Sequence, residues 1–312
     1  MLDLGLLPPA GSPLVVAVSG GRDSVVMWDL VALAGSWPLI VWHLDHGLRE
    51  DTLADADVLH ALARRHRAEG RAPAALLVER THLGDHGVEA AGRQHRYARL
   101  ATIAQERRAP VVVTAHHQDD QAETVLFNLL RGADLTGRAG IAPQRILAPG
   151  VTLVRPLLNQ PRARLADHAT ARGLTWHEDS TNQDVTLTRN YLRLRVLPTL
   201  EQGVPGTTAA LVALAHQAQA RLADLDQRLD LRWRPGPDHL PLASLQDEDP
   251  DLRHHAWRRL IRHLCLTADR RTLRALDDLA GGGVGRAWSG AGWRIERTRT
   301  GLSWRPDGRR QV

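Results

Sequence analysis

Three side chains able to bind or transfer protons lie within eight residues of one another, namely His116, Asp120 and Glu123. If a helix begins near Asp119, then Asp120 and Glu123 are three residues apart and share one face, with His116 just before the helix. Two carboxylates so arranged can compensate a cationic amine, hold magnesium, or take up a proton from an attacking ammonium group. The alternative is a capped, solvent-facing first helical turn.

A second segment able to do chemistry is a hexapeptide rich in glycine and serine near the N-terminus. It consists of Ser19, Gly20, Gly21, Arg22, Asp23 and Ser24. Glycines let the backbone approach a phosphate closely, a helix that begins here offers unpaired N–H groups, and serine hydroxyls add donors. The segment lacks the Gly-Lys-Ser/Thr ending of a Walker A loop and the G-x-G-x-x-G pattern of dinucleotide-binding folds. It predicts an anion-binding loop of another type or, in isolation, a capped surface turn.

Both segments follow short apolar runs that are typical of buried strands. Strands are predicted at 14–18, 39–43, 75–78 and 111–114, and helices at 25–33, 55–67, 89–107 and 119–130. This alternation favours an α/β fold built on a doubly wound parallel sheet, in which ligands bind beyond the carboxyl ends of the strands. Because the hexapeptide ends the first strand and His116 ends the fourth, both are expected at the ligand-binding edge, which favours a site over capped turns.

The second half of the chain has a different pattern. The alternation fades after about residue 150, and glycines around Pro205 predict a boundary between domains at 1–203 and 204–312. The second domain is expected to be smaller and mainly helical, beginning with a long helix and ending in short strands. Helices are predicted at 161–172, 211–229, 250–264 and 269–280, and a strand-like tail at 286–305. The tail tryptophans are interpreted as a small core rather than as base-stacking residues.

Composition excludes several classes of protein. Of 312 residues, 43% are hydrophobic and 24% charged, which is typical of a globular chain rather than a disordered one. Cys265 is the only cysteine, so an intramolecular disulfide, a Cys-x-x-Cys pair and a cysteine metal cage are all excluded. The first eleven residues have no basic signal region and the apolar run at 14–18 is far too short to span a bilayer. These features predict a cytoplasmic protein without membrane contact.

Charge is divided unevenly along the chain. All 40 basic residues are arginines and the formal net charge is +5. Residues 1–150 contain 15 arginines and 17 acidic residues, whereas residues 151–312 contain 25 arginines and 18 acidic residues. The basic half is suited to hold a polyanion while chemistry proceeds in the other half, although arginines on solvated helix faces would give the same totals.

The hexapeptide resembles the SGGxDS signature of the PP-loop superfamily, the N-type ATP pyrophosphatases, whose fold is of the adenine nucleotide alpha hydrolase type. Members cleave ATP between the α and β phosphates and adenylate a substrate. The resemblance implies that Ser19–Ser24 hold the pyrophosphate end of ATP and that Asp23 is linked to magnesium. Electrostatics agree, because a carboxylate beside phosphates needs a cation between the two anions.

Four further segments resemble the tRNA(Ile)-lysidine synthetase family and occur in its order, so that the likeness covers roughly residues 15–200. They are His-Leu-Asp-His-Gly-Leu-Arg at 43–49, Glu-Ala-Ala-Gly-Arg with Arg-Tyr at 89–97, Ala-His-His-Gln-Asp-Asp-Gln-Ala-Glu-Thr at 115–124, and Trp-His-Glu-Asp-Ser-Thr-Asn with Arg-Asn-Tyr-Leu-Arg at 176–193. Gly92 replaces a more usual alanine, which loosens the helix by ~1 kcal/mol. The length resembles that of the family's short form.

This resemblance implies a two-step reaction on an isoleucine tRNA with a CAU anticodon. Carbon 2 of the wobble cytidine is adenylated with release of pyrophosphate, and free L-lysine then attacks and expels AMP. His116, Asp120 and Glu123 are expected on the lysine side, and Arg93 at the nucleotide or RNA. The remaining expected contacts are His43 and His46 as loop residues near ATP, and Arg189, Asn190 and Arg193 for tRNA or phosphate.

Three other functions are weighed against this one. A tRNA thiolase related to this branch would need paired cysteines, which Cys265 alone cannot supply. An amide-forming ligase such as an NAD or GMP synthetase would leave the block at 119–123 and the basic second half unexplained. A non-catalytic RNA-binding module would leave the reactive side chains without a role. The sequence indicates no oligomeric state.

Overall fold

A computed structural model describes residues 1–45, 52–80, 88–177, 183–232, 236, 238–242, 249–266 and 270–307. The chain divides into two compact units. The first comprises Met1–Ala133 and Gly137–Ala215, and the second comprises Asp134–Thr136 and His216–Val312.

The first unit is built on a six-stranded sheet with the strand order β3-β2-β1-β4-β6-β5. The strands are β1 (Leu14–Ala17), β2 (Leu39–Asp45), β3 (Ala75–Arg80), β4 (Val111–Val113), β5 (Gln144–Ala148) and β6 (Val151–Val154). All neighbouring pairs are parallel except β5 with β6. The predicted doubly wound parallel sheet is confirmed, and the chain reverses its direction of winding between β1 and β4.

Helices cover both faces of this sheet. The helices up to α9 are α1 (Arg22–Ala34), α2 (Thr52–Ala68), α3 (Val88–Glu106), α4 (Gln118–Leu130), α5 (Leu135–Arg138), α6 (Arg162–Arg172), α7 (Thr188–Tyr191), α8 (Leu197–Gly203) and α9 (Thr207–Arg232). Of these, α1, α2 and α6 share one core with the strands and α3 shares the core on the other face. A 3₁₀ turn at Leu4–Leu6 precedes β1, and Leu192–Val196 form a π-helical turn between α7 and α8. Alternate residues of β1 point to opposite faces, so Val16 packs in a core with Trp28 of α1, whereas Val15 packs in a core with Ile103 of α3.

A buried ionic cluster connects α1 to two neighbouring helices. The Asp29 carboxylate, fully buried, lies 2.9 Å from His66 Nε2 of α2 and 2.8 Å from His168 Nε2 of α6. Arg172 of α6 donates two further hydrogen bonds of 3.2 Å. Burial raises the pKa of Asp29, but the hydrogen bonds from His66, Arg172 and His168 outweigh burial and hold it far below its usual range. The cluster ties α1 to α2 and α6.

Two strands of the sheet were not predicted. β6 is a four-residue apolar run, and β5 pairs with it antiparallel at the edge of the sheet with mostly exposed residues. Edge strands need no apolar alternation, and β5 carries polar residues such as Gln144 and Arg145. The prediction that the alternation fades after about residue 150 was therefore wrong for β6.

The second unit combines helices with a small sheet. Its further elements are β7 (His239–Pro241), α10 (Pro250–His263), α11 (Arg270–Ala280), β8 (Ala287–Gly290), β9 (Trp293–Arg297) and β10 (Gly301–Pro306). The strands pair antiparallel in the order β7-β10-β9-β8. Trp304 is buried in the core of this unit, and Trp288 and Trp293 pack against that core. The expected helical domain ending in short strands is confirmed, as is the core role of these tryptophans.

The two units meet in sequence within α9, because the division falls between Ala215 and His216. The boundary predicted between 203 and 204 is at the turn before α9, where glycine and proline interrupt the chain. The amino-acid composition does not change where the two units divide, because α9 continues through that point. The boundary at 203 remains a prediction. Among the described residues, no helix combines the length and apolarity needed to cross a bilayer.

Candidate active site

The hexapeptide forms a tight turn between β1 and α1. Gly20 has a φ of 87°, in the left-handed region that favours glycine, and Gly21 is the N-cap residue of α1. The Ser24 hydroxyl is 3.1 Å from the Ser19 amide and donates a 2.8 Å hydrogen bond to the Gly21 carbonyl. These bonds brace the turn from inside, and the N-terminus of α1 has no side-chain cap, which is the arrangement that an anion-binding helix terminus requires.

Asp23 lies in the first turn of α1 and is surrounded by cations. Its carboxylate is 3.0 Å from Arg22 Nε, 3.3 Å from His117 Nε2 and 3.7 Å from Arg162 Nε. Burial raises the pKa of Asp23, but the hydrogen bond and charge of His117, with the two arginines, outweigh burial and lower that pKa to about 2. Asp23 is therefore ionised at neutral pH.

His117 links the phosphate loop to α4. Its ring, 4% exposed, lies 3.3 Å from Asp23, 3.6 Å from Asp119 and 3.5 Å from Asp120. Burial lowers its pKa, but the neighbouring carboxylates of Asp119, Asp23 and Asp120 prevail and raise the pKa to about 10. A buried imidazolium thus holds three carboxylates from two elements together. His117 was not among the residues predicted for the site, unlike its neighbour His116, and the histidine pair itself is the only signal of it in the sequence.

A cavity of about 640 Å³ opens beyond the carboxyl end of β4. Five predicted site residues line it, namely Arg93, His116, Asp120, Glu123 and Arg189. The structure therefore brings together side chains that are up to 96 residues apart in sequence. Asp120 connects the cavity with the carboxylates around His117, because it lines the cavity and lies beside the His117 ring.

The two carboxylates of the cavity have raised pKa values. Burial raises the pKa of Glu123 to about 7, with a further contribution from the charge of Asp120. The pKa of Asp120 is also raised, again first by burial, although His117 opposes the change. The Asp120 carboxylate accepts a 2.9 Å hydrogen bond from the His117 amide at the start of α4. A carboxylate with a pKa near neutrality is suited to accept a proton at physiological pH.

His116 has the opposite character from His117. Burial lowers its pKa to about 3, helped by the charges of Arg155 and Arg93. Its Nδ1 lies 3.1 Å from the Thr114 hydroxyl. His116 is consequently a neutral imidazole that can accept or donate a hydrogen bond inside the cavity.

Three further cavity residues were missed by the sequence analysis. They are Tyr97 of α3, Arg145 of β5 and Arg155, which directly follows β6. The Arg145 guanidinium lies 4.3 Å from the centre of the Tyr97 ring, and that of Arg93 lies 5.6 Å from it. The signal that would have found Arg155 is the apolar run at 151–154, because a residue after a parallel strand faces the ligand-binding edge.

The predicted tRNA-binding residues differ in accessibility. Arg189 is exposed and lines the cavity. Asn190 is buried, donates to the Asp184 carbonyl at 2.9 Å, and accepts a 3.1 Å hydrogen bond from Arg193. Asn190 therefore positions Arg193 within the chain, and the RNA contacts of these three residues remain a prediction.

His43 and His46 were expected in a loop. The prediction was wrong for His43, because β2 extends to Asp45 and the His43 ring is buried, with Nδ1 2.9 Å from the Val18 carbonyl. Parallel pairing with β3 explains the difference, because residues 43–45 continue the ladder with residues 78–80. His46 lies outside the described residues.

The loop fits ATP better than it fits a metal alone. In the part of the chain that the structure describes, no three His, Cys, Asp or Glu side chains are arranged to hold a metal. Magnesium is usually held by one or two carboxylates together with substrate phosphates, and the ionised, partly exposed Asp23 carboxylate meets that requirement. The open N-terminus of α1 meets the requirement for the phosphates.

Comparison with known proteins finds a matching family and similar relatives. The PP-loop domain family matches residues 6–200. A tRNA(Ile)-lysidine synthase of Thermus thermophilus is 40% identical over 273 residues, which are 85% of this chain and 52% of the relative. One of Pseudomonas putida is 35% identical over 320 residues, which are 96% of this chain and 73% of the relative. The chain thus spans about half the length of the Thermus relative.

Among solved structures, a U34-tRNA thiolase of Methanococcus maripaludis superposes with a TM-score of 0.54 at 17% identity, over 69% of this chain and 75% of that one. This likeness concerns the fold alone. Since the PP-loop match covers most of the chain, and the chain covers 73% of the Pseudomonas relative at 35% identity, the chain belongs to the PP-loop family and, within it, to the family of the tRNA(Ile)-lysidine synthases.

Proposed function

We propose that the chain makes lysidine in an isoleucine tRNA with a CAU anticodon, using ATP and free L-lysine. The observation that carries the proposal is the junction at His117 and Asp120. His117 contacts Asp23 of the phosphate loop, and Asp120 contacts His117 while lining the cavity. An adenylate formed at the loop would therefore lie beside the carboxylates that serve the second step.

In the first step, the cytidine oxygen on carbon 2 attacks the α-phosphorus of ATP and pyrophosphate leaves. The turn at Ser19–Ser24 and the N-terminus of α1 hold the pyrophosphate end. Asp23, together with phosphate oxygens, would hold magnesium, which supplies neutralisation of the phosphate charge. Arg22 and Arg162, both within 4 Å of Asp23, add positive charge at the same place.

In the second step, the lysine amine attacks carbon 2 and expels AMP. The amine has a reference pKa of about 10.4, so it arrives as an ammonium group and must lose a proton before it attacks. Glu123, with a pKa of about 7, accepts that proton, and Asp120 compensates the cation beside it. His116, neutral at this pH, offers a hydrogen bond rather than a competing positive charge.

We expect this reaction in the cytoplasm, where ATP, free lysine and tRNA occur together. The basic second half of the sequence, with 25 arginines against 18 acidic residues, would hold the tRNA. Arg93 and Arg189, at the cavity lining, would meet the RNA around the target base.

The direct test is incubation of the chain with ATP, magnesium, labelled lysine and the tRNA. Label is expected to enter the RNA only when ATP is present and only with the CAU anticodon. A tRNA with a different anticodon serves as the matched control. Binding of tRNA without ATP–pyrophosphate exchange would instead indicate a binding module, and exchange without any tRNA requirement would indicate an amide-forming ligase.

A further inference from the structure

Arg155 is a buried cation with incomplete pairing. Its side chain is 4% exposed and lines the cavity. One terminal nitrogen donates to the Ala142 carbonyl at 2.5 Å and the guanidinium hydrogen-bonds the Tyr97 hydroxyl, but Nε has no hydrogen-bond partner. No described carboxylate forms an ion pair with it. A charge removed from water without a counter-charge is strongly unfavourable, so the surroundings of Arg155 favour the binding of an anion.

Three neighbouring arginines add to the positive charge around Arg155. Arg93, Arg145 and Arg189 line the cavity with it, and none of the four pairs with a carboxylate among the described residues. Two of them lie against the Tyr97 ring, at 4.3 Å for Arg145 and 5.6 Å for Arg93. The positive field is strong enough to reverse the effect of burial on Tyr97, because burial raises the pKa of that phenol and the three nearby arginines bring it below its usual value.

The composition of the lining indicates which anion fits. Asp120 and Glu123 line the same cavity as the arginines. A phosphodiester or a pyrophosphate would satisfy the arginines and be repelled by the carboxylates. A ligand with a carboxylate and an amine satisfies both sets, which is the charge pattern of a free amino acid.

We propose that Arg155 and Arg145 bind the carboxylate of the free amino acid substrate, so that this part of the cavity selects an amino acid over a simple amine. The guanidinium fork of Arg155 is fixed by Ala142 and Tyr97, and Arg145 is stacked on Tyr97. The proposal rests on the proposed function and adds its specificity. The amine of the ligand faces Asp120 and Glu123, and its carboxylate faces the two arginines.

The test compares lysine with 1,5-diaminopentane, which is lysine without its carboxylate. The KM for labelled lysine and the inhibition constant of the diamine are measured in the full chain and in Arg145→Gln, Arg155→Gln and Arg155→Lys. Arg107→Gln is the control, because Arg107 is an exposed arginine just before β4 at the opposite edge of the sheet. Arg145 is exposed as well, so its variant is informative even if the Arg155 variants fold poorly.

Loss of a charge-assisted hydrogen bond is expected to raise the lysine KM between about 10-fold and 100-fold, while the diamine constant stays unchanged. Arg155→Lys should recover part of the loss and Arg107→Gln should show none. Equal changes for both ligands, or no change for either, would overturn the subsite. Formation of adenylated tRNA without lysine is measured in parallel, and a fall there in the same proportion would assign the arginines to phosphate. Failure of the unmodified chain to label the tRNA would instead refute the proposed function.

Discussion

The phosphate loop and the cavity lie beyond the ends of neighbouring strands, β1 and β4, yet they treat charge in opposite ways. At the loop, Asp23 is surrounded by Arg22, His117 and Arg162, all within 3.7 Å. In the cavity, Asp120 and Glu123 share a lining with four arginines, and none of these arginines forms an ion pair with a described carboxylate. The charge of Asp23 is thus balanced by side chains of the same protein, whereas the arginines of the cavity are not paired with any described carboxylate.

The pKa values follow this division. The loop keeps its groups charged, because the pKa of Asp23 falls to about 2 and that of His117 rises to about 10. The cavity favours the uncharged forms of its groups, because the pKa of Glu123 rises to about 7 and that of His116 falls to about 3. Fixed charges suit the binding of a nucleotide, and a carboxyl group with a pKa near 7, such as that of Glu123, suits the transfer of a proton.

The largest expected effect tests the loop. Asp23→Asn removes the carboxylate that would hold magnesium against the phosphates, and we expect adenylation to fall by roughly 10²-fold to 10³-fold with the fold retained. ATP–pyrophosphate exchange and circular dichroism measure the two quantities, and Asp167→Asn, an exposed change on α6, is the control. Adenylation at the unmodified rate by a folded variant would exclude this role for Asp23.

The second effect concerns stability and the cost of keeping Glu123 buried. Its pKa is about 7 in the folded chain, against an ordinary value of 4.5, so the folded state binds more protons between these values. Stability is thus lost as pH rises from about 4.5 to 7, and above pH 7 the full cost is on the order of 3 kcal/mol. We expect Glu123→Gln to be more stable than the unmodified chain at pH 8 and nearly equal to it at pH 4.5. Urea unfolding at both values measures this, and a pH-independent difference would contradict it.

The third effect separates the two chemical steps. Glu123→Gln should raise the lysine requirement about 10-fold while changing the ATP requirement less, because the carboxylate is placed to serve the amine. Without lysine, the variant should still accumulate adenylated tRNA. Should ATP dependence be damaged while the apparent lysine affinity is untouched, Glu123 belongs to the metal and nucleotide site, and the contrast between loop and cavity fails.

The smallest effect is a pH profile. If ionised Glu123 accepts the proton, the rate of the lysine step should rise about fivefold between pH 6 and 7 and flatten above pH 8. Single-turnover reaction of adenylated tRNA with lysine measures this step alone. The rising limb should disappear in Glu123→Gln, and its persistence there would assign the titration to another group.

Local patterns predicted much of the site. The hexapeptide indicated a strand, a turn and a helix, and the spacing of Asp120 and Glu123 placed both carboxylates at one cavity. Those inferences needed only short-range periodicity and the rule that ligands bind at the carboxyl ends of parallel strands.

The remaining features depend on contacts distant in sequence. His116 and His117 precede α4 together, and spacing could not reveal that one enters the cavity while the other contacts Asp23. Arg155 was hidden because β6 is short and pairs with β4 and β5, which lie elsewhere in the sequence. Pairing partners of this kind decide a strand's identity when its own composition is weak.

The buried cluster at Asp29 bears on how freely this site can change. Asp29 lies about two turns along α1 from the phosphate loop and is held by His66, His168 and Arg172. The helix that presents the loop is therefore anchored by side chains that lie outside both the loop and the cavity lining. Substitutions in the loop can therefore change ligand binding while α1 stays in place. Substitutions in the cluster at Asp29 would instead weaken the contacts that hold α1.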